Sequence, residues 1–210
     1  MLSYHNDPAV KVKYQTRFAA HRAADEVIQG QGFEDGRGCF VGCTLNRYDH
    51  SLFPVELGWP EWLARLADAI FEGIPREEAP QFGTDLLEAV QIGKDLESVK
   101  WHLAIVRHTV QIERLKDNNE PYAEQVRKAV QGVIDYCQLQ LTGTHTDEMA
   151  AARSAARSAA RSAAWSARSA AESAAESARS AAESAVRSAA ESAWKQEAAD
   201  LLELLRDCQP

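Results

Sequence analysis

Hydrophobic positions in the first two thirds of the chain recur mostly at helical spacing. Behind Asp7-Pro8, Val10, Tyr14, Phe18, Ala24 and Ile28 follow at intervals of four and six. Asp at an N-cap followed by Pro at the first helical position is a helix start, and the next strong stop is Gly30, so the spacing predicts a helix running up to that glycine. Pro60 opens a second helix on Trp62, Leu63, Leu66, Ala67, Ile70 and Phe71, closed by Gly73. Pro75, Pro80 and Gly83 read as turns, with a short helix over 84–90. Residues 95–116 carry Leu96, Val99, Leu103, Val106, Val110 and Leu115 on one face, and Pro121 starts a further helix with Val126, Val130, Val133, Ile134 and Leu141. Between the first two helices, 30–58 is rich in glycine and breaks the periodicity; within it Cys39-Phe40-Val41 reads as a short strand. The expectation is an all-α fold with a helical globular domain over 1–141, carrying one irregular Gly/Cys loop.

After Thr142 the pattern changes. In residues 150–193, 21 of 44 positions are Ala and 11 are Ser, and almost all others are Arg or Glu. The serines step by three or four, giving an 11-residue repeat in three turns, about 3.67 residues per turn, close to the α-helical period. Each Ser follows a larger residue: Arg153, Arg157, Arg161, Trp165, Arg168, Glu172, Glu176, Arg179, Glu183, Arg187 and Glu191. The rest of the surface is nearly pure Ala, the best helix former. The sequence therefore predicts a second region, 146–208, as a very long Ala/Ser-rich helix of roughly 90 Å at 1.5 Å per residue. It ends in Leu201, Leu202, Leu204 and Leu205, a patch expected to dock back on the chain's own core.

An Ala face buries little area but lets another backbone come close, so the favoured role for this helix is protein contact, with a second copy or another protein. Charge order sharpens this. The early large positions are Arg and the later ones mostly Glu, opposite to what the helix dipole favours, and Arg153, Arg157 and Arg161 repel at i, i+4. An antiparallel copy brings the Arg end beside the Glu end, so homo-oligomeric antiparallel pairing is the expectation. Packing on the chain's own first region and a solvated single helix are the alternatives. An ice-binding Ser stripe is disfavoured because it runs beside charges. The three arginines near Trp165 could hold phosphates and stack a base, but the Glu run that follows repels a strand.

Charge and composition exclude more than they identify. The formal net charge is −8, with 23 Lys plus Arg against 31 Asp plus Glu, which argues against nucleic-acid binding through bulk charge. No apolar run approaches the roughly 18 residues of a membrane span. The first seven residues lack the pattern of a secretory signal, and four Cys in 210 residues are too few for a disulfide scaffold. A reducing, cytoplasmic setting with no membrane contact is expected, and nothing calls for a cofactor.

The chemically dense stretch runs from Glu34 to His50, with spacing Cys39-x3-Cys43-x6-His50. Zinc sites pair Cys-x2–4-Cys with a second ligand pair; here the second pair would be His50 with Asp49, Glu56 or His102, so Cys39, Cys43 and His50 are weak metal candidates. A nucleophilic alternative has Cys43 (or Cys39) activated by His50, with Glu56 or Asp49 orienting the imidazole. The bland reading is a tight buried loop, since free Cys is among the most buried residue types. Cys137 reads as core. The sequence thus favours a non-enzymatic interaction protein, with a small-molecule enzyme or ligand- or metal-binding protein using Cys39, Cys43, His50 and Glu56 as the alternative.

The run Gly38-Cys39-Phe40-Val41-Gly42-Cys43-Thr44 with His50, Glu56-Leu57-Gly58 and Trp62 to Leu66 resembles a set of bacterial and phage proteins of unassigned activity. These share a Tyr-His-Asn start (Tyr4-His5-Asn6) and an Ala-rich repeat before a Leu-rich end. The resemblance implies a prokaryotic or mobile-element origin, and with it an accessory role such as blocking a host defence complex by occluding its surface.

Overall fold

The computed structural model describes residues 1–117, 123–143 and 182–207, with 154, 157, 158 and 161 as single helical positions and 182–188 as backbone only. The described residues are mostly helical. The helices are α1 (Pro8–Ala23), α2 (Phe40–Leu45), α3 (Phe53–Leu57), α4 (Glu61–Gly73), α5 (Ala79–Ala89), α6 (Val99–Arg114), α7 (Ala123–Thr142) and α8 (Ala182–Arg206). The strands β1 (Phe33–Glu34) and β2 (Arg37–Gly38) form a two-residue antiparallel ladder. None of the described helices is long and apolar enough to cross a membrane. The chain divides into two compact units, one of Met1–Lys100 with Arg187–Pro210 and another of Trp101–Val186.

The first unit begins as its sequence predicts. Asp7 caps α1, its carboxylate accepting the Ala9 N–H at 2.8 Å, and Pro8 occupies the first turn. The helix ends at Ala23, well before Gly30. Asp25 takes φ +55°, and Ile28 donates its N–H to the Gly38 carbonyl at 2.8 Å. Val27 bridges Gly38 in parallel, so Val27 and Ile28 are extended backbone beside the loop.

Cys39-Phe40-Val41 is not a strand. Cys39 is the N-cap of α2, and Phe40 and Val41 form its first turn, fully buried. A Cβ on Gly38 would lie 2.3 Å, and one on Gly42 1.9 Å, from the Gly32 carbonyl oxygen. The two glycines of Gly-Cys-x2-Gly-Cys let this short helix tuck under the Gly32 backbone. Pro80 is inside the first turn of α5 rather than a turn, because proline at that position gives up an N–H that has no partner in any case.

The core of this unit holds Tyr4, Tyr14, Phe18, Phe40, Phe53, Trp59, Leu63, Ile70, Phe71 and Leu86. The C-terminal Leu patch packs here: Leu201 and Leu205 are fully buried. Trp194 fills the space over Gly73, where a Cβ would come within 2.4 Å of its ring. In the second unit, α6 and α7 pair, with the Trp101 and Tyr136 rings edge to face at 5.9 Å. Arg127 donates to the Leu115 carbonyl at 2.7 Å, and Cys137 is buried as core.

Of the Ala/Ser repeat, Arg157 and Arg161 are helical and exposed, Glu183 and Arg187 lie on the backbone of α8, and Glu191 is exposed on it. Arg153, Trp165, Arg168, Glu172, Glu176 and Arg179 lie outside the described residues, as do most of the predicted long helix and Cys208.

Candidate functional site

The Gly/Cys loop brings together side chains that are far apart in sequence. Cys39, 1% exposed, is fixed by its own N–H, which is bonded to the Gln31 and Gly32 carbonyls at 2.8 and 3.1 Å. Asp68 and Glu72 lie one turn apart on α4, hence on one face. A ligand atom from each of Cys39, Asp68 and Glu72 lies within 4.8 Å of the others. His50, first residue of a short 3-10 turn, directs Nε2 at Asp68 Oδ2 at 3.0 Å. Tyr48 donates its hydroxyl to that same oxygen at 2.9 Å, and its ring meets His50 edge to face at 5.0 Å. Asp68 is 7% exposed, and its other oxygen, Oδ1, is buried where no N–H or O–H donor reaches it. Glu72 accepts the Gly30 N–H at 2.8 Å.

The electrostatics follow from this crowding. Burial pushes the Cys39 thiol far up, helped by the charge of Asp68 and a hydrogen bond to it, against the Gly42 and Val41 backbone N–H groups, which lower it. The hydrogen bond to Asp68, then burial, lift the Tyr48 phenol to about 12. Burial and, to a smaller extent, Asp68 raise the Glu72 carboxyl, against the Gly30 N–H, which lowers it.

The sequence candidates therefore separate. Cys39 and His50 meet around Asp68. Cys43 faces backbone instead, its Sγ 3.2 Å from the Gly38 carbonyl and 3.6 Å from that of Glu26; burial pushes this thiol up to about 12. Glu56 bonds Tyr14 and reaches Lys13 at 3.4 Å on α1, and the Tyr14 hydroxyl holds its carboxyl below the usual range. Asp49 caps its own turn, accepting from the Ser51 N–H and hydroxyl at 3.0 and 2.6 Å. Among the described residues, no hydrogen bond joins Cys43, His50 and Glu56 to one another. Cys39, Cys43 and Cys137 are free thiols.

A second feature lies between α5 and α8. A groove of about 400 Å3 has Ile74, Phe82, Ala198 and Leu202 as its apolar floor. Glu77, Glu78, Asp85 and Lys195 also line it, with Lys195 Nζ 2.7 Å from Glu78 Oε1.

No family model, curated protein or solved structure matches this chain.

Proposed function

We propose that this protein works by protein–protein contact, through self-association in which the Arg-bearing part of the Ala/Ser helix of one copy lies against the groove between α5 and α8 of another. The observation that carries this reading is the groove itself: an apolar floor of Ile74, Phe82, Ala198 and Leu202, edged by three carboxylates and a single lysine already paired to one of them. Arg157 and Arg161, exposed and helical, offer the complementary charge at one-turn spacing. In an isolated helix this Arg series is self-repelling; beside an acidic groove it is relieved. Exposed ion pairs contribute little each, so the charges select and orient, while the small Ala side chains let the helix backbone come close to the apolar floor of the groove. Reciprocal exchange of this contact between two copies about a two-fold axis closes the assembly. The same contact made on a foreign acidic groove would occlude a host protein's surface.

Sedimentation velocity tests this. The full chain is expected to run as a dimer that weakens with salt, and Glu77→Arg with Glu78→Arg to shift it to monomer. A monomeric wild-type chain, or a dimer indifferent to these changes, overturns the proposal. A second reading, a metal- or ligand-binding protein, is favoured by the gathering of Cys39, His50, Asp68 and Glu72.

A further inference from the structure

We propose that Cys39, Asp68 and Glu72 bind one divalent transition-metal ion of the zinc class, with water at the remaining position and His50 and Tyr48 orienting the Asp68 carboxylate. The site is separate from the groove and does not depend on the association proposed above.

Three features of the geometry converge. First, the three groups present one sulfur and two carboxylate oxygens, each within 4.8 Å of the others. A tetrahedral ion with bonds of about 2.0–2.3 Å spaces its ligands about 3.3–3.8 Å apart, so a contraction of at most about 1–1.5 Å closes the set. Second, the carriers are held independently of the ligand: Cys39 by the N-cap of α2 and the glycine contacts beneath Gly32, Asp68 and Glu72 by successive turns of α4. Third, Asp68 has a buried oxygen, Oδ1, that no N–H or O–H donor reaches, with the Cys39 thiol beside this carboxylate. A desolvated carboxylate oxygen left in that state is costly, and a cation beside it removes the cost.

The other oxygen of Asp68 takes Tyr48 Oη at 2.9 Å and His50 Nε2 at 3.0 Å. That is how outer groups fix a ligating carboxylate, leaving its second oxygen to face the ion. Donor chemistry selects the metal. Thiolate beside carboxylate disfavours magnesium and calcium, which take all-oxygen shells, and suits zinc or cobalt. On binding, the Cys39 thiol gives its proton to solvent as the sulfur–metal bond forms, so uptake strengthens as pH rises. Glu72 is on the exposed side of the cluster, which leaves a water position open toward solvent.

The competing explanation is a packed core in which the Cys39 S–H simply faces Asp68, and serine separates the two, since its hydroxyl preserves a donor and removes the sulfur. The full-length chain, stripped by chelator, is titrated with Co2+ and read by absorbance in the near-ultraviolet thiolate-to-cobalt region. The expected result is a band that saturates at one equivalent and is displaced by Zn2+. Cys39→Ser abolishes the band, Cys43→Ser keeps it, and Asp68→Asn and Glu72→Gln each weaken uptake at least tenfold. His50→Gln weakens it by about 10–100-fold, the usual effect of losing an outer group. No band in the wild-type chain, or a band that survives Cys39→Ser, overturns the proposal. X-ray absorption at the zinc edge on the unaltered chain needs no variant: one sulfur at about 2.3 Å with lighter ligands is expected, and a shell without sulfur contradicts it.

Discussion

Adding the same methyl group at two helical glycines should change stability in opposite directions. Gly42 is inside α2 and Gly132 inside α7. Helix propensity alone favours alanine over glycine by about 0.8–1.0 kcal/mol at either. At Gly132 nothing lies within 4 Å of the added Cβ, so Gly132→Ala keeps that gain and raises Tm by roughly 2–4 °C for a chain of this size. At Gly42 the added Cβ sits 1.9 Å from the Gly32 carbonyl oxygen and 2.9 Å from Phe33 Cβ. Ordinary contact requires the Gly32 backbone to retreat by more than about 1 Å, and that carbonyl holds the Cys39 N–H. Overpacking of this kind costs about 1–3 kcal/mol, and more where backbone must move. With the propensity gain deducted, Gly42→Ala is expected to destabilise by about 1–2 kcal/mol, or roughly 2–8 °C. Thermal unfolding followed by far-ultraviolet circular dichroism measures both. A Gly42→Ala chain as stable as wild type would refute the packing argument for the Gly-Cys-x2-Gly-Cys run.

Leu201→Ala and Leu205→Ala should each cost about 2–5 kcal/mol in urea unfolding, because both side chains are fully buried; Leu204→Ala, at a partly exposed position, should cost clearly less, and equal effects would contradict the docking of α8. At pH 8 a thiol lifted to about 12 is ionised to about one part in ten thousand. Alkylation of Cys43 in the folded chain, read by peptide mass spectrometry, should therefore be orders of magnitude slower than in urea, and comparable rates would contradict its burial. The same shift sets the alkaline limit of stability. The folded state keeps the Cys43 and Tyr48 protons up to about 12, whereas the unfolded chain releases them near 9 and 10. The urea midpoint should therefore fall as pH rises from about 9 to 12, with Cys39, Cys137, Tyr4 and Tyr14, also raised by burial, adding to the fall; a level midpoint would contradict the burial of these groups.

Legibility in the sequence varied with how local each cause is. The start of α1 is written in Asp7-Pro8 and that of α4 in Pro60 and its apolar spacing, because caps and amphipathic faces are short-range devices. The end of α1 is not. Asp25 leaves the helix so that Val27 and Ile28 can pair with Gly38, a contact made across the Gly/Cys loop. Likewise, β-branched Val41 beside Cys39 and Phe40 suggests a strand, and the fit of Gly42 under Gly32 makes it helix. In the candidate metal site, Cys39 and His50 stood out by residue type and spacing, while Asp68 and Glu72 passed as charges on an amphipathic helix. A signal was present: Asp68 falls among Ala64, Ala67 and Phe71, on the face of α4 that is otherwise buried and apolar. A carboxylate on such a face needs a partner.

The account's central claim is contact between copies, and a pair of opposite charge reversals tests it most directly. One chain carries Arg at 77, 78 and 85; the other carries Glu at 153, 157 and 161. Alone, each faces itself with like charges in groove and helix; mixed, both contacts are complementary. Sedimentation velocity should show two monomeric variants that form a one-to-one dimer on mixing. Monomers before and after mixing, alongside a wild-type chain that is also monomeric, would contradict it.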